Sequence, residues 1–282
     1  MNLREYLRNA SEHIPAAPHA NPRLETEVLI RHALRISREQ FFADLERTLT
    51  SDEAAAMDAL VARRASGEPL AYITGHREFY GLDFVVNNHV LIPRQETELL
   101  VDLALDFAKD WAPSELSIAD VGTGSGAIAI ALAINLPGAT AFATEWDDGA
   151  IEVARANFRR HDVQGRVDLL QGDLLEPIQG QVDIIVSNPP YIPTDEIEGL
   201  AVEVQQEPRQ ALDGGLDGLD TFRRLIGQAP TKLKPRGLML VELSPQQMDN
   251  AEILAAQAFP LTEVSHADDL LGLARVLVIK CK

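Results

Sequence analysis

From residue 116 to the end, the chain alternates strand-like and helix-like stretches, and few folds accommodate that alternation. "LSIADVG" reads as a strand and "GAIAIALAINL" as a helix. "TAFATEW" and "RVDLLQGD" are two further strands, with "GAIEVARANFRRH" between them as a helix. "QVDIIVS" and "GLMLVEL" follow, separated by the helix "LDTFRRLIGQAP". Such a pattern implies a mostly parallel sheet with helices on both faces. The last strands, "LTEVSH" and "ARVLVIK", leave no room for a crossover helix, which predicts an antiparallel edge. The expected fold of this part of the chain is α/β, with a Rossmann-like, mostly parallel seven-stranded sheet.

The first strand runs into "DVGTGSGA", residues 120–127. Gly122, Gly124 and Gly126 let the backbone turn tightly and let a ligand approach where a Cβ would clash. The string also scores as the dinucleotide fingerprint G-x-G-x-x-A, with Glu145 ending the second strand where a ribose diol would sit. By itself the loop therefore points to a nucleoside cofactor, either NAD or S-adenosylmethionine (SAM), or to a bare strand–helix turn. Two features favour SAM. Asp120 precedes the first glycine, where it can orient the loop and meet the methionine ammonium through water. The fourth strand ends in "SNPPY", for which a dehydrogenase has no use. Asp173, ending the third strand, is placed either to meet the adenine amino group, with Leu174 against the ring, or simply to cap its turn.

In a sheet ordered 3-2-1-4-5, the first and fourth strands are neighbours, and a crevice opens beyond their carboxyl ends. The glycine loop, with Thr123 and Ser125, and the Asn188–Tyr191 peptide should meet there. Pro189 and Pro190 fix φ and donate no N–H, and each extends the residue before it. Asn188 adds a carbonyl acceptor and Tyr191 a flat ring. The expected product is a slot for a planar NH₂ group. It has catalytic residues Asn188, Pro189 and Tyr191, and a substrate-binding set of Asn188, Pro189, Pro190 and Tyr191. Asn188 also borders the cofactor. Hydrogen bonds from the amine to the Asn188 side chain and the Pro189 carbonyl raise electron density on a delocalised nitrogen, so catalysis is positioning and preorganisation.

Upstream, residues 1–66 have helical texture. Leu3, Leu7, Leu24, Val28, Leu29, His32 and Leu34 recur at helical spacing, Asn21–Pro22 form a helix start, and Thr50 or Ser51 caps a helix that stops at Gly67. Aromatic and β-branched residues then alternate with polar ones from Tyr72 to Val86, which predicts a β-hairpin. The expected domains are 1–72 (helical, substrate-docking), 73–95 (β-hairpin linker) and 96–282 (catalytic).

Charge and composition exclude several classes. The 282 residues carry 43 acidic and 25 basic side chains, a formal net charge of −18, which disfavours sequence-independent nucleic-acid binding. The lone cysteine, Cys281, suits a reducing cytoplasm. No Cys/His cluster has metal spacing, no signal peptide opens the chain, and no stretch reaches the ~20 apolar residues of a membrane span. A soluble cytoplasmic protein without metal, membrane or direct nucleic-acid partner is expected.

"DVGTGSGAIAIALA" with "SNPPYI" resembles the class I SAM-dependent methyltransferases that modify planar nitrogens. Two longer stretches, "GEPLAYITGHREFYGLDFVVNNHVLIPRQETELLVD" and "EPRQALDGGLDGLDTFRRLI", are similar to the glutamine N5-methyltransferases of peptide chain release factors. This resemblance implies that the substrate is the glutamine of the Gly-Gly-Gln loop in class I release factors. It implies that SAM lies against residues 122–126, Glu145 and Asp173–Leu174, and that the glutamine lies against residues 188–191. It gives the N-terminal helices the task of holding the release factor body. The sequence departs from the family pattern in three places: Glu145 replaces Asp, Leu174 replaces an aromatic residue, and Gln95 replaces the proline of "RPETE". Arg94 and Gln95 are expected to be structural. Rival expectations are a DNA adenine-N6 methyltransferase, a glutamine methyltransferase acting on a ribosomal protein, and a SAM-binding protein without catalysis.

Overall fold

The structure, a computed structural model, describes residues 1–15, 21–109 and 116–282. The helical expectation at 16–20 lies outside them. The chain forms two compact units, Met1–His76 with Ala201–Gln206, and Arg77–Leu200 with Glu207–Lys282.

The first unit is helical: α1 (Leu3–Ser11), α2 (Pro22–Leu34), α3 (Arg38–Ala43), α4 (Ser51–Ala65), α5 (Leu70–Thr74) and, from the later segment, α9 (Val202–Gln205). Its helix starts are well specified. Asn21 caps α2 with Pro22 in the first turn, and Thr50 forms a reciprocal capping box with Glu53 at α4. Leu24 does not join the core and is 45% exposed. The buried face of α2 is Thr26, Glu27, Leu29 and Ile30, and of these Leu29, as expected, and Ile30 pack with Leu3, Phe41 and Met57. Arg64 of α4 is buried and pairs with Glu25 of α2 and Glu203 of α9, so charge as well as apolar contact ties the later segment to this unit. Tyr72 and Ile73 are helical rather than extended. Pro69 stands at the N-cap of α5 and Gly75 ends it in the left-handed region, so proline and glycine punctuation overrides β propensity.

In the second unit, β2 (Leu82–Val85) pairs with β1 (His76–Phe79, whose first residue belongs to the first unit) as a separate hairpin. The main sheet comprises β3 (Ser117–Val121), β4 (Thr140–Glu145), β5 (Val167–Gln171), β6 (Val182–Ser187), β7 (Leu233–Glu242), β8 (Glu263–Asp268) and β9 (Ala274–Lys280). Its order is β5-β4-β3-β6-β7-β9-β8, parallel except for the β7–β9 and β8–β9 pairs. This is the expected seven-stranded, mostly parallel sheet with its antiparallel edge. Ala119, Val121, Ile185, Met239 and Val241 face a core shared with α10 (Asp220–Gln228) and α11 (Met248–Ala258). Helices α6 (Glu98–Ala108), α7 (Ala127–Asn135) and α8 (Asp148–Arg160) pack against other parts of the same sheet. With both faces covered, β6 is buried along its whole length, which is why Ile184, Ile185 and Val186 follow one another without polar alternation.

Candidate active site

Beyond the carboxyl ends of β3, β4 and β6 lies a cavity of about 690 Å³, within the usual range for small-molecule sites. The register Val121↔Ser187 sets the ends of β3 and β6 side by side, so the glycine loop and the Asn188–Pro190 peptide share one wall. Of the residues singled out from sequence, Gly122, Thr123, Gly124, Ser125, Glu145, Asp173, Leu174, Asn188, Pro189 and Pro190 line this cavity. Asp120, Gly126 and Tyr191 stand behind its wall.

The glycine loop is not a phosphate cradle. Gly122 and Thr123 both donate their N–H to Thr144 O at 3.0 Å, Gly124 donates to Glu145 Oε2 at 3.0 Å, and Gly126 donates to Thr123 O at 2.8 Å. A dinucleotide pyrophosphate would need such donors free, and the Glu145 carboxylate on the loop would repel it. Glu145 Oε1 also accepts from Trp146 N and Asp147 N. The carboxylate is thus aimed by three backbone donors, and Oε2 keeps room for one further donor. Glu145 and Asp147 line the cavity side by side, an acidic end that suits a cationic cofactor, while Asp173 lines it together with Arg224. Gly122 (φ +72°) and Gly124 (φ +55°) have open space where a Cβ would stand.

Asp120 orients the loop as expected, whereas the expectation for Gly126 changes. Asp120, 1% exposed, does not reach the cavity as a ligand group. It fastens the loop from behind: Oδ2 accepts from Thr123 Oγ1 at 2.6 Å and from Ala129 N, an end donor of α7, at 3.0 Å. Its Oδ1 is buried with no hydrogen-bond partner. Gly126 serves packing rather than ligand approach, since a Cβ there would lie 2.6 Å from the Phe158 ring of α8.

Burial pushes the Asp120 carboxyl up to about 6. Hydrogen bonds from Thr123 and Ala129 work against this, and the Glu145 charge adds to it. An acid raised on folding keeps its proton in the native state after the unfolded chain has released it. Its contribution to stability therefore falls as pH rises from about 4 to about 6. The rise from an ordinary 3.8 corresponds to about 3 kcal/mol, at ~1.4 kcal/mol per pH unit. Denaturant titrations should show wild-type stability, relative to Asp120→Asn, declining by about that much between pH 4 and pH 7. A difference independent of pH would contradict this placement of Asp120.

Asn188 lines the cavity and donates Nδ2–H to Thr97 Oγ1 at 3.0 Å, leaving Oδ1 as its free acceptor. Thr97 in turn donates to Glu242 Oε2 at 2.7 Å. The Tyr191 ring does not form the cavity wall that the sequence suggested. Its hydroxyl reaches back to Glu242 Oε1 at 3.3 Å and its ring packs against the sheet core. A half-buried phenol needs an acceptor, and Glu242 supplies it. Burial, together with the Glu242 charge, pushes the Tyr191 phenol well up, so it remains a donor. The peptide is held on both sides. Gln247 Nε2 donates to Tyr191 O at 2.6 Å, while Ile192 N donates to Leu212 O and Ile192 O accepts from Gly214 N.

At the other end, Asp173 pairs with Arg224, and Leu174 adopts a left-handed φ of +49°. Such strain in a non-glycine residue is characteristic of functional turns. Trp146, 58% exposed, also lines the cavity beside Glu145. Sequence reasoning missed Phe79, Thr97, Trp146 and Arg224 as lining residues. The adjacency of Trp146 to Glu145 was the one signal that could have found any of them. Among the described residues, no group of three or more His, Cys, Asp or Glu side chains could hold a metal ion.

Residues 5–75 match the family described as "PrmC N-terminal domain", and residues 97–215 match "Methyltransferase small domain". The chain is 45% identical over 257 residues to the release factor glutamine methyltransferase of Moorella thermoacetica, covering 90% of each chain. The chain belongs to the release factor glutamine methyltransferase family. A second member, from Geobacter sulfurreducens, is 48% identical over 81% of this chain and 79% of its own. A crystal structure of a methyltransferase from Pyrococcus furiosus shares the fold at 20% identity. It superposes with a TM-score of 0.51, covering 71% of this chain and 89% of its own. Membership in the family favours SAM over a dinucleotide, as do the paired loop donors.

Proposed function

We propose that the Asn188–Pro190 slot takes the side-chain amide of the Gly-Gly-Gln glutamine of class I release factors. The chain is an S-adenosyl-L-methionine-dependent protein-(glutamine-N5) methyltransferase. The observation that carries the assignment of the slot is the tethered Asn188 carboxamide, whose Nδ2 is held by Thr97 so that Oδ1 is the end left for a ligand.

The donor set fits SAM. Glu145 Oε2 has capacity for a ribose hydroxyl, Asp147 adds negative charge, and Trp146 and Leu174 offer apolar surface for a base. When bound, SAM supplies a methyl group activated by a positively charged sulfur. Asn188 Oδ1 and the Pro189 carbonyl accept the two N–H bonds of the glutamine amide and orient its nitrogen toward the cofactor side of the cavity. Two rigid prolines keep those acceptors from relaxing away. The gain is positional and electrostatic. The slot needs no strong base, because the amide N–H becomes acidic once the new N–C bond forms and its proton can then pass to water. Tyr191 acts from behind, fixing the peptide through Glu242 and Gln247.

The helical unit of residues 1–76 and 201–206 is proposed to hold the body of the release factor, and residues 77–200 and 207–282 to carry the chemistry. The net charge of −18 argues for a protein substrate over nucleic acid. Among the described residues, no helix is long and apolar enough to cross a membrane, and the lone Cys281 suits a cytoplasmic setting.

Mass spectrometry of a class I release factor incubated with this protein and SAM tests the reading. One added methyl on the Gly-Gly-Gln glutamine is expected. Methylation of DNA or of a ribosomal protein under the same conditions, with the release factor untouched, would overturn it.

A further inference from the structure

Three elements converge behind Asn188, and the proposed slot does not use all of them. Asn188 follows the last residue of β6, and Glu242 ends β7. The two strands pair with Ser187 opposite Val241, so Asn188 and Glu242 are brought to the same sheet edge. Thr97, in the 3-10 turn that leads into α6, stands between them with both side-chain bonds formed. Thr97 and Glu242 are both buried, at 5% and 1% exposure.

The chain of hydrogen bonds has a direction. A threonine hydroxyl carries one hydrogen. At 2.7 Å that hydrogen goes to Glu242 Oε2, so toward Asn188 the oxygen can only accept. Asn188 must then give Nδ2–H, and its Oδ1 is turned the other way. If Thr97 donated to Asn188 instead, the carboxamide would flip and present NH₂ where an incoming amide also brings N–H groups. Two donors would then face each other, and an acceptor slot would become a repelling one. Glu242 holds the direction by accepting from Thr97 on one oxygen and from Tyr191 on the other. Burial pushes the Glu242 carboxyl up. The Thr97 hydrogen bond, the nearby Arg275 charge and the Tyr191 hydroxyl hold it down, while Glu96 adds to the rise. A proton settling on the oxygen toward Tyr191 would leave the Thr97 bond in place.

We propose that Thr97 is a positioning residue for methyl transfer: its hydroxyl, anchored on Glu242, locks the Asn188 carboxamide with Oδ1 toward the reacting nitrogen. This rests on the assignment of Asn188 as substrate acceptor. Thr97 touches neither of the reacting atoms; it acts through Asn188.

The test is a double-mutant cycle in the full-length chain, with Thr97→Val, Thr97→Ser, Asn188→Ala and Thr97→Val/Asn188→Ala. Release factor methylation and SAM binding are measured for each. Thr97→Val should lower kcat about tenfold or more, with SAM affinity and release factor KM within about threefold, and Thr97→Ser should restore most of the rate. In the Asn188→Ala background, adding Thr97→Val should change kcat by less than about twofold, because the group it orients is gone. Should Thr97→Val fail to fold, Thr97→Ala takes its place in the cycle. Full additivity, or a Thr97→Ser enzyme as slow as Thr97→Val, overturns the positioning role while leaving Asn188 intact as acceptor. An Asn188→Ala enzyme as fast as wild type overturns the slot itself, and the proposal with it.

Discussion

Asn188→Ala should lower kcat by about a hundredfold or more while leaving SAM affinity nearly unchanged. The magnitude follows from losing one preorganised hydrogen-bond partner at a reacting centre, worth about 2.7–4 kcal/mol where such groups have been removed. The separation of effects follows from the geometry. The proposed cofactor side of the cavity is built mainly by the glycine loop, Glu145 and Trp146, none of which bonds to the Asn188 side chain. Thr97 would lose one donor but keep its bond to Glu242, so the wall itself should stand. Steady-state kinetics on a release factor, with calorimetric titration of SAM, checks both halves. A variant that loses SAM binding and keeps its rate at saturation would reverse the assignment.

Gly218→Ala should be damaging for a different reason. Gly218 has φ +74°, and a Cβ there would lie 1.9 Å from Gln247 Nε2 and 2.2 Å from Tyr191 O. These two atoms are themselves bonded at 2.6 Å, and that bond holds the peptide after Asn188 in place. The methyl group would drive between them. Left-handed strain contributes about 1–2 kcal/mol and overpacking about 1–3 kcal/mol, so a loss of roughly 3 kcal/mol is expected. A Tm lowered by several degrees should accompany at least a tenfold fall in kcat, since Tyr191 O is backbone and cannot rotate away. Thermal unfolding and methylation rates, measured together, check this. Wild-type stability and rate would show that the loop carrying Gly218 has freedom the structure does not suggest.

Much of this was legible in the sequence because it depends on order along the chain. Strand–helix alternation determined the sheet, and the adjacency of β3 and β6 follows from the strand order. That adjacency brings "DVGTGSG" and "NPPY" to one crevice. The N-cap residues Asn21 and Thr50 act within three residues of themselves, so they too could be read locally. What escaped are contacts between residues distant in sequence. Thr97 and Glu242 are joined across 145 positions, and nothing local in "RQETE" or "LVEL" announces it. The Tyr191 ring was expected over the substrate because its position along the chain is right. Its orientation, however, is decided by a buried acid on the next strand. Gly126 belonged to the glycine motif by spacing, yet its lack of a Cβ serves Phe158 on another helix. Tyr72 and Ile73 have strand-forming side chains, but Pro69 and Gly75 decide their backbone.

The most direct test of the central claim is a crystal structure of this protein with S-adenosylhomocysteine and a Gly-Gly-Gln peptide. The glutamine amide nitrogen should lie within about 3 Å of both Asn188 Oδ1 and the Pro189 carbonyl oxygen, with Asn188 Nδ2 still on Thr97 and the nitrogen facing the cofactor sulfur. A glutamine side chain bound elsewhere in the cavity, or an Asn188 carboxamide turned to donate to it, would contradict the account.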